Sequence, residues 1–103
     1  LYEVTALYLQ KREGRCKKNT LIYKKSVLRK LNKFIGPKTE FSTITKNDLE
    51  AFLEAAKEAV SAKSANKYRI ELSALYSWAA REGYVPVNIA RQTEPFATAQ
   101  AER

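Results

Sequence analysis

Histidine and methionine are absent from this 103-residue sequence, cysteine and tryptophan occur once each, and glycine and proline three times each. Cys16 alone cannot close an intramolecular disulfide. With Cys16 alone and no histidine there is no Cys/His metal site, no Ser-His or Cys-His pair and no two-cysteine redox motif. Most hydrolytic chemistry is thereby excluded. No run approaches the roughly 18 to 20 consecutive apolar residues a membrane-spanning helix needs, and no signal-peptide apolar region stands near the start. The chain starts at Leu1 and has no Met, so we expect a piece of a longer protein. Its length suits a single domain with one modest core.

What the sequence has in excess is positive charge, with 19 Lys and Arg against 11 Asp and Glu. The excess is uneven: residues 1–39 hold eleven cations and two anions, a net of +9, while the remainder sums to −1. Clustered cations raise the positive potential over one face and release counterions when a polyanion binds, so nucleic acid is the first partner to consider. An anionic membrane surface is the second.

The few breakers cut the chain into four segments with helical apolar spacing and no strand-like alternation. The first, about Val4 to Glu13, spaces Val4, Leu7 and Tyr8 on one face and ends at Gly14 as C′ residue. Gly14 to Lys18 reads as a basic loop. The second starts near Asn19 or Thr20 as cap, with Leu21, Leu28, Leu31 and Ile35 on one stripe and Val27 and Phe34 beside it. Its other face carries Lys25, Arg29 and Lys33 at four-residue spacing, with Lys18 and Lys30 nearby. Like charges so placed destabilise an isolated helix by a few tenths of a kcal/mol per pair, so something other than helix stability favours them.

Gly36-Pro37 ends that helix. Thr45-Lys46-Asn47-Asp48 is a capping-box pattern opening a third helix, to about Val60, with Leu49, Phe52, Leu53, Ala56 and Val60 inward and an acidic exposed side. The fourth and longest is expected from Ser64 as N-cap to about Glu82, closed by Gly83 and stopped by Pro86. It faces inward with Tyr68, Leu72, Leu75, Tyr76 and Ala79, widened by Ala74 and Trp78. Lys63, Asn66, Lys67 and Arg69 form a second basic patch at its start, where backbone N–H groups also favour anions. Val87-Asn88-Ile89-Ala90 reads as one helical turn, and residues 92–103 as a linker or tail.

Four pieces in this order resemble the N-terminal core-binding, SAM-like domain of tyrosine recombinases and phage-type integrases. They are the Thr20 to Gly36 helix ending Leu31-Asn32-Lys33-Phe34-Ile35-Gly36; Ile44-Thr45-Lys46-Asn47-Asp48-Leu49 with Phe52-Leu53; Ser64-Ala65-Asn66-Lys67-Tyr68 leading into Leu72-Ser73-Ala74-Leu75-Tyr76-Ser77-Trp78-Ala79; and Arg81-Glu82-Gly83-Tyr84-Val85 before Asn88. Where the family usually has Asn-Pro, this chain has Asn88-Ile89.

The resemblance implies an all-α orthogonal four-helix bundle over residues 1–91, with 92–103 leading toward an absent catalytic domain. It implies half of a clamp around double-stranded DNA, working in an oligomer of recombinase protomers. The parent would be cytoplasmic, bacterial or phage-encoded, with no membrane partner and no cofactor. The family's catalytic Arg, Lys, His-type and Tyr residues belong to the separate domain, so no catalytic residue is carried over. In the family the second and fourth helices face the DNA.

The DNA-binding residues expected are therefore Lys17, Lys18, Lys24, Lys25, Arg29 and Lys33 in the first patch, and Lys63, Ser64, Asn66, Lys67 and Arg69 in the second. Asn66 or Arg69 would read base edges, with Lys63 and Lys67 on phosphates. Tyr68, Tyr76 and Trp78 belong to the core, since a phenol with pKa near 10 has no activating neighbours here. Cys16 reads as a surface thiol. The alternative is a helical interaction module whose basic face binds RNA or an acidic protein. A stand-alone helix-turn-helix regulator ranks third, because no short turn joins two helices with an obvious recognition helix.

Overall fold

The glycines and prolines fall beyond the ends of helical elements, as their backbone chemistry requires. The computed structural model describes residues 1–97, and among them are four α-helices, two 3-10 turns and no strand, the all-α class expected. The helices are α1 (Tyr2–Arg12), α2 (Lys18–Ile35), α3 (Lys46–Ala59) and α4 (Ala62–Arg81), and the 3-10 turns are Phe41–Thr43 and Ile89–Gln92. They divide into two units, one of Leu1–Ile44 and one from Thr45 onward.

In the first unit α1 packs on α2. The inward face of α1 is narrower than the Val4, Leu7, Tyr8 spacing suggests, because Thr5 and Tyr8 are its buried residues and Val4 and Leu7 are half-buried. A buried threonine needs partners for its hydroxyl. Thr5 Oγ1 donates to the Tyr2 carbonyl at 3.0 Å and accepts from Asn32 Nδ2 of α2, also at 3.0 Å, while Asn32 Nδ2 donates to the Leu28 carbonyl at 2.9 Å as well.

Helix α2 starts earlier than its candidate caps Asn19 and Thr20: Lys17 occupies the N-cap and makes no side-chain capping bond. Lys17 and Lys18 thus belong to a helix start rather than a loop. Val27, Leu28 and Leu31 are buried, Leu21 and Ile35 half-buried, and Phe34, read as lying beside the stripe, is 47% exposed. Gly36 ends the helix at φ 111°, and a Cβ there would lie 3.1 Å from Thr39 Oγ1, which donates to the Ile35 carbonyl. Both the torsion and the space therefore favour glycine.

In the second unit the capping box forms as read from the sequence: Asp48 N–H donates to Thr45 Oγ1 at 3.2 Å, and Thr45 N–H to Asp48 Oδ2 at 2.9 Å. Leu49, Phe52, Leu53 and Ala56 are buried, each large side chain contributing about 1.5 to 3 kcal/mol by leaving water. Val60 does not join them. It leaves helical geometry at φ −124°, ψ −76° and is 58% exposed.

Ser61, not Ser64, caps α4, its Oγ accepting the Ser64 N–H at 3.0 Å. Val60 and Ser61 alone therefore join α3 to α4. Helix α4 buries Ala65, Tyr68, Leu72, Leu75, Tyr76, Trp78 and Ala79, and packs on α3. Phe52 and Tyr68 stack at 6.2 Å between ring centroids, and Trp78 and Tyr84 at 5.5 Å. The expected turn near Asn88 is the 3-10 turn Ile89–Gln92, capped by Asn88 Oδ1 accepting from Arg91 N–H. It packs on both α3 and α4.

Candidate nucleic-acid interface

Helix α2 contains six Lys or Arg residues and no Asp or Glu. The helical period sorts these cations. Lys18, Lys25, Arg29 and Lys33 recur at four- or seven-residue intervals along one stripe, and all four are exposed. Lys17 is exposed at the cap, and Lys30 is exposed beside the stripe. Lys24 points elsewhere: it is half-buried, donates from Nζ to Tyr8 Oη at 3.3 Å and stands 5.7 Å from that ring's centroid. Arg12 lies over the same ring at 5.4 Å. The buried Tyr8 thus holds two cations of the basic region within the first unit, and Lys24 serves α1–α2 packing.

On α4 the five expected residues separate into two groups. Lys63 and Lys67 are exposed one turn apart. Ser64 is half-buried at the third helical position, where its N–H meets the cap. Asn66 and Arg69 turn to the C-terminal segment. Asn66 Nδ2 donates to the Phe96 carbonyl at 2.9 Å, and its Oδ1 accepts Phe96 N–H at 2.7 Å. Arg69 donates to the Thr93 carbonyl from Nε at 2.9 Å and from Nη2 at 2.6 Å, with Nε also 3.0 Å from Thr93 Oγ1.

Thr93 is buried, and Lys57 of α3 lies 5.0 Å above the half-buried Phe96 ring. The first part of the expected linker is therefore fastened to α4 through side chains; its residues 98–103 lie outside the described residues. Sequence reading missed this clasp. The available signal was Phe96 itself, a large apolar residue isolated in a polar stretch.

The exposed side of α3 carries Glu54 and Glu58, with Glu50 half-buried, which repels phosphates. Burial, reinforced by the Asp48 charge, pushes the Tyr76 phenol well above its ordinary pKa, the opposite of what a nucleophile requires. Cys16 is a free, half-buried thiol. Among the described residues no three His, Cys, Asp or Glu side chains gather as metal ligands would, and no helix is long and apolar enough to cross a membrane.

No curated protein matches the sequence. Solved structures do match it in fold. Two lambda integrase dimers bound to a COC' core site superpose with a TM-score of 0.85 at 24% identity, covering 95% of this chain and 36% or 28% of theirs. A lambda integrase tetramer bound to a Holliday junction gives 0.83 at 24% identity, covering 93% of this chain and 29% of its own. The chain thus spans about a third or less of the length of these structures. The family described as "Phage integrase, N-terminal SAM-like domain" matches residues 6–83, well over half of the sequence, and the chain belongs to that family.

Proposed function

We propose that this chain is the non-catalytic DNA-binding domain of a tyrosine recombinase, clamping double-stranded DNA for site-specific recombination and integration. The catalytic domain of the same parent chain would cut and rejoin strands, within an oligomer of protomers assembled on DNA in the cytoplasm. The observation that carries this reading is the exposed Lys18, Lys25, Arg29, Lys33 stripe on a helix without a single acid. Its like charges at four-residue spacing oppose helix formation, and Lys18 stands at the positive end of the helix dipole, so in the free domain these contacts are unfavourable. A row of phosphates reverses both costs. The lambda integrase structures, solved as a dimer and a tetramer on DNA, support the same class of partner.

With Lys24, Asn66 and Arg69 engaged inside the fold, the phosphate-contacting set is Lys17, Lys18, Lys25, Arg29 and Lys33 on α2, with Lys63, Lys67 and the Ser64 hydroxyl on α4. The test is an anisotropy titration with a labelled random duplex of about 30 base pairs, some three helical turns, and a matched single-stranded RNA. If about five phosphates are neutralised, log K falls against log salt with a slope near −4.5. Stronger binding to RNA would favour the interaction-module reading. No duplex binding at low salt would overturn the proposal.

A further inference from the structure

Each cationic stripe contains one exposed isoleucine. On α2 the order along the stripe is Lys18, Ile22, Lys25, Arg29, Lys33, and Ile22 is 54% exposed. On α4 it is Lys63, Lys67, Ile70, and Ile70 is 63% exposed. Single apolar side chains on a surface are ordinary and by themselves mean little. These two share a placement: each lies within one helical turn of a lysine on its own stripe, and the arrangement arises separately on two helices.

Chemistry narrows what such a side chain can meet. A stripe that only gripped phosphates would be served by Lys, Arg, Ser or Asn at every position. On α4 the groups best suited to hydrogen-bond a base edge, Asn66 and Arg69, are occupied by Phe96 and Thr93. The exposed group left among the lysines is a hydrocarbon. In the major groove the apolar feature of a base edge is the thymine C5 methyl group. Isoleucine suits that contact because β-branching holds it mainly in one χ1 rotamer on a helix, so its methyl groups are already fixed before binding.

We infer that Ile22 and Ile70 are specificity residues that read thymine methyl groups in the major groove, while neighbouring lysines hold the flanking phosphates. The inference rests on the proposed binding of duplex DNA and adds what that binding reads. It commits α2 near its start and α4 near its middle to groove contact, not to backbone contact alone.

The experiment selects preferred duplexes from a random pool with the intact chain, then replaces each thymidine in turn by deoxyuridine, removing only the C5 methyl. At one or more positions the substitution weakens binding by about fourfold, the effect of exposing one buried methyl group. Ile22→Ala or Ile70→Ala is expected to abolish the sensitivity at one such position while leaving the salt slope unchanged, because the cations remain. Alanine is the better helix former, so both variants should keep their helix content by circular dichroism. Absence of any methyl-sensitive thymidine, or sensitivity that persists in both variants, overturns the inference. Methyl-insensitive but salt-dependent duplex binding would overturn it alone, whereas loss of all duplex binding at low salt would overturn the proposed function beneath it.

Discussion

Asn66 holds the backbone of Phe96 with both ends of its amide, donating to the carbonyl at 2.9 Å and accepting the N–H at 2.7 Å. The pairing imitates one rung of a β-ladder, with a side chain in place of the second strand. Together with Arg69 on Thr93 and Lys57 over the Phe96 ring, it fastens residues 93–96 to α3 and α4. Net hydrogen-bond contributions of about 0.5 to 1.5 kcal/mol apiece make Asn66→Ala destabilising by about 1 to 3 kcal/mol. The Phe96 amide should also lose its protection. Hydrogen exchange resolved at that amide checks the contact, and unchanged protection in the variant would show that the clasp does not persist in solution.

Lys67 and Arg69 are two residues apart and both cationic, yet their surroundings predict opposite behaviour. Lys67 is exposed, so Lys67→Gln should leave thermal unfolding within about 0.5 kcal/mol of the parent while weakening duplex binding. Arg69→Gln removes charged donors from the Thr93 carbonyl and should lower the unfolding midpoint. Measuring both unfolding and binding for the two variants separates the roles. Equal unfolding midpoints would contradict the clasp.

That pair also marks what was legible in the sequence. The capping box at Thr45 and Asp48, the glycine after each of α1, α2 and α4, and the cationic face of α2 were readable because each is encoded within one or two helical turns. The α4 start was not. Ser61 and Ser64 are both competent caps three residues apart, and the longer helix with Ser61 at its start gains another turn of backbone bonds. Lys17 shows the opposite case, a helix beginning ahead of its two candidate cap residues. The roles of Asn66 and Arg69 were beyond local reading, since their partners lie 30 and 24 residues away and contribute mainly backbone atoms. A carbonyl leaves no mark on sequence pattern. The same limit hid the Asn32 bond to Thr5, 27 residues apart.

Tyr76 predicts an alkaline limit. Its phenol is fully buried in the second unit, and burial first, then the Asp48 carboxylate, raise its pKa above the ordinary value near 10. The unfolded chain ionises this phenol at about pH 10 and the folded chain resists, so the unfolded state binds fewer protons above that pH. Stability from this source is complete below about pH 10 and falls as pH rises toward the folded pKa, by up to about 1.4 kcal/mol per pH unit. Other tyrosines and lysines also titrate there, so the test is a comparison. Denaturant unfolding of the parent and of Tyr76→Phe from pH 8 to 11, in the range about the ordinary phenol pKa, should show a shallower decline for the variant. Parallel declines would remove Tyr76 as the cause.

The charge stripe makes the prediction closest to function. Lys25 and Arg29 are exposed on one side of α2, one turn apart, and each adds to a row of like charges. Replacing both with glutamine removes repulsion of a few tenths of a kcal/mol per pair, so unfolding should be unchanged or slightly harder. Duplex affinity should fall, and the slope of log K against log salt should become shallower by about 1.8 if each residue neutralises one phosphate. Lys24→Gln is the matched control: it removes the same charge from the same helix, but from a side chain held at the Tyr8 hydroxyl. Its slope should stay near the parent's while its unfolding midpoint drops. Titrations of the three proteins across several salt concentrations decide the matter, because a general charge effect shifts Lys24→Gln and the double variant in proportion to charge, whereas a defined face shifts only the second.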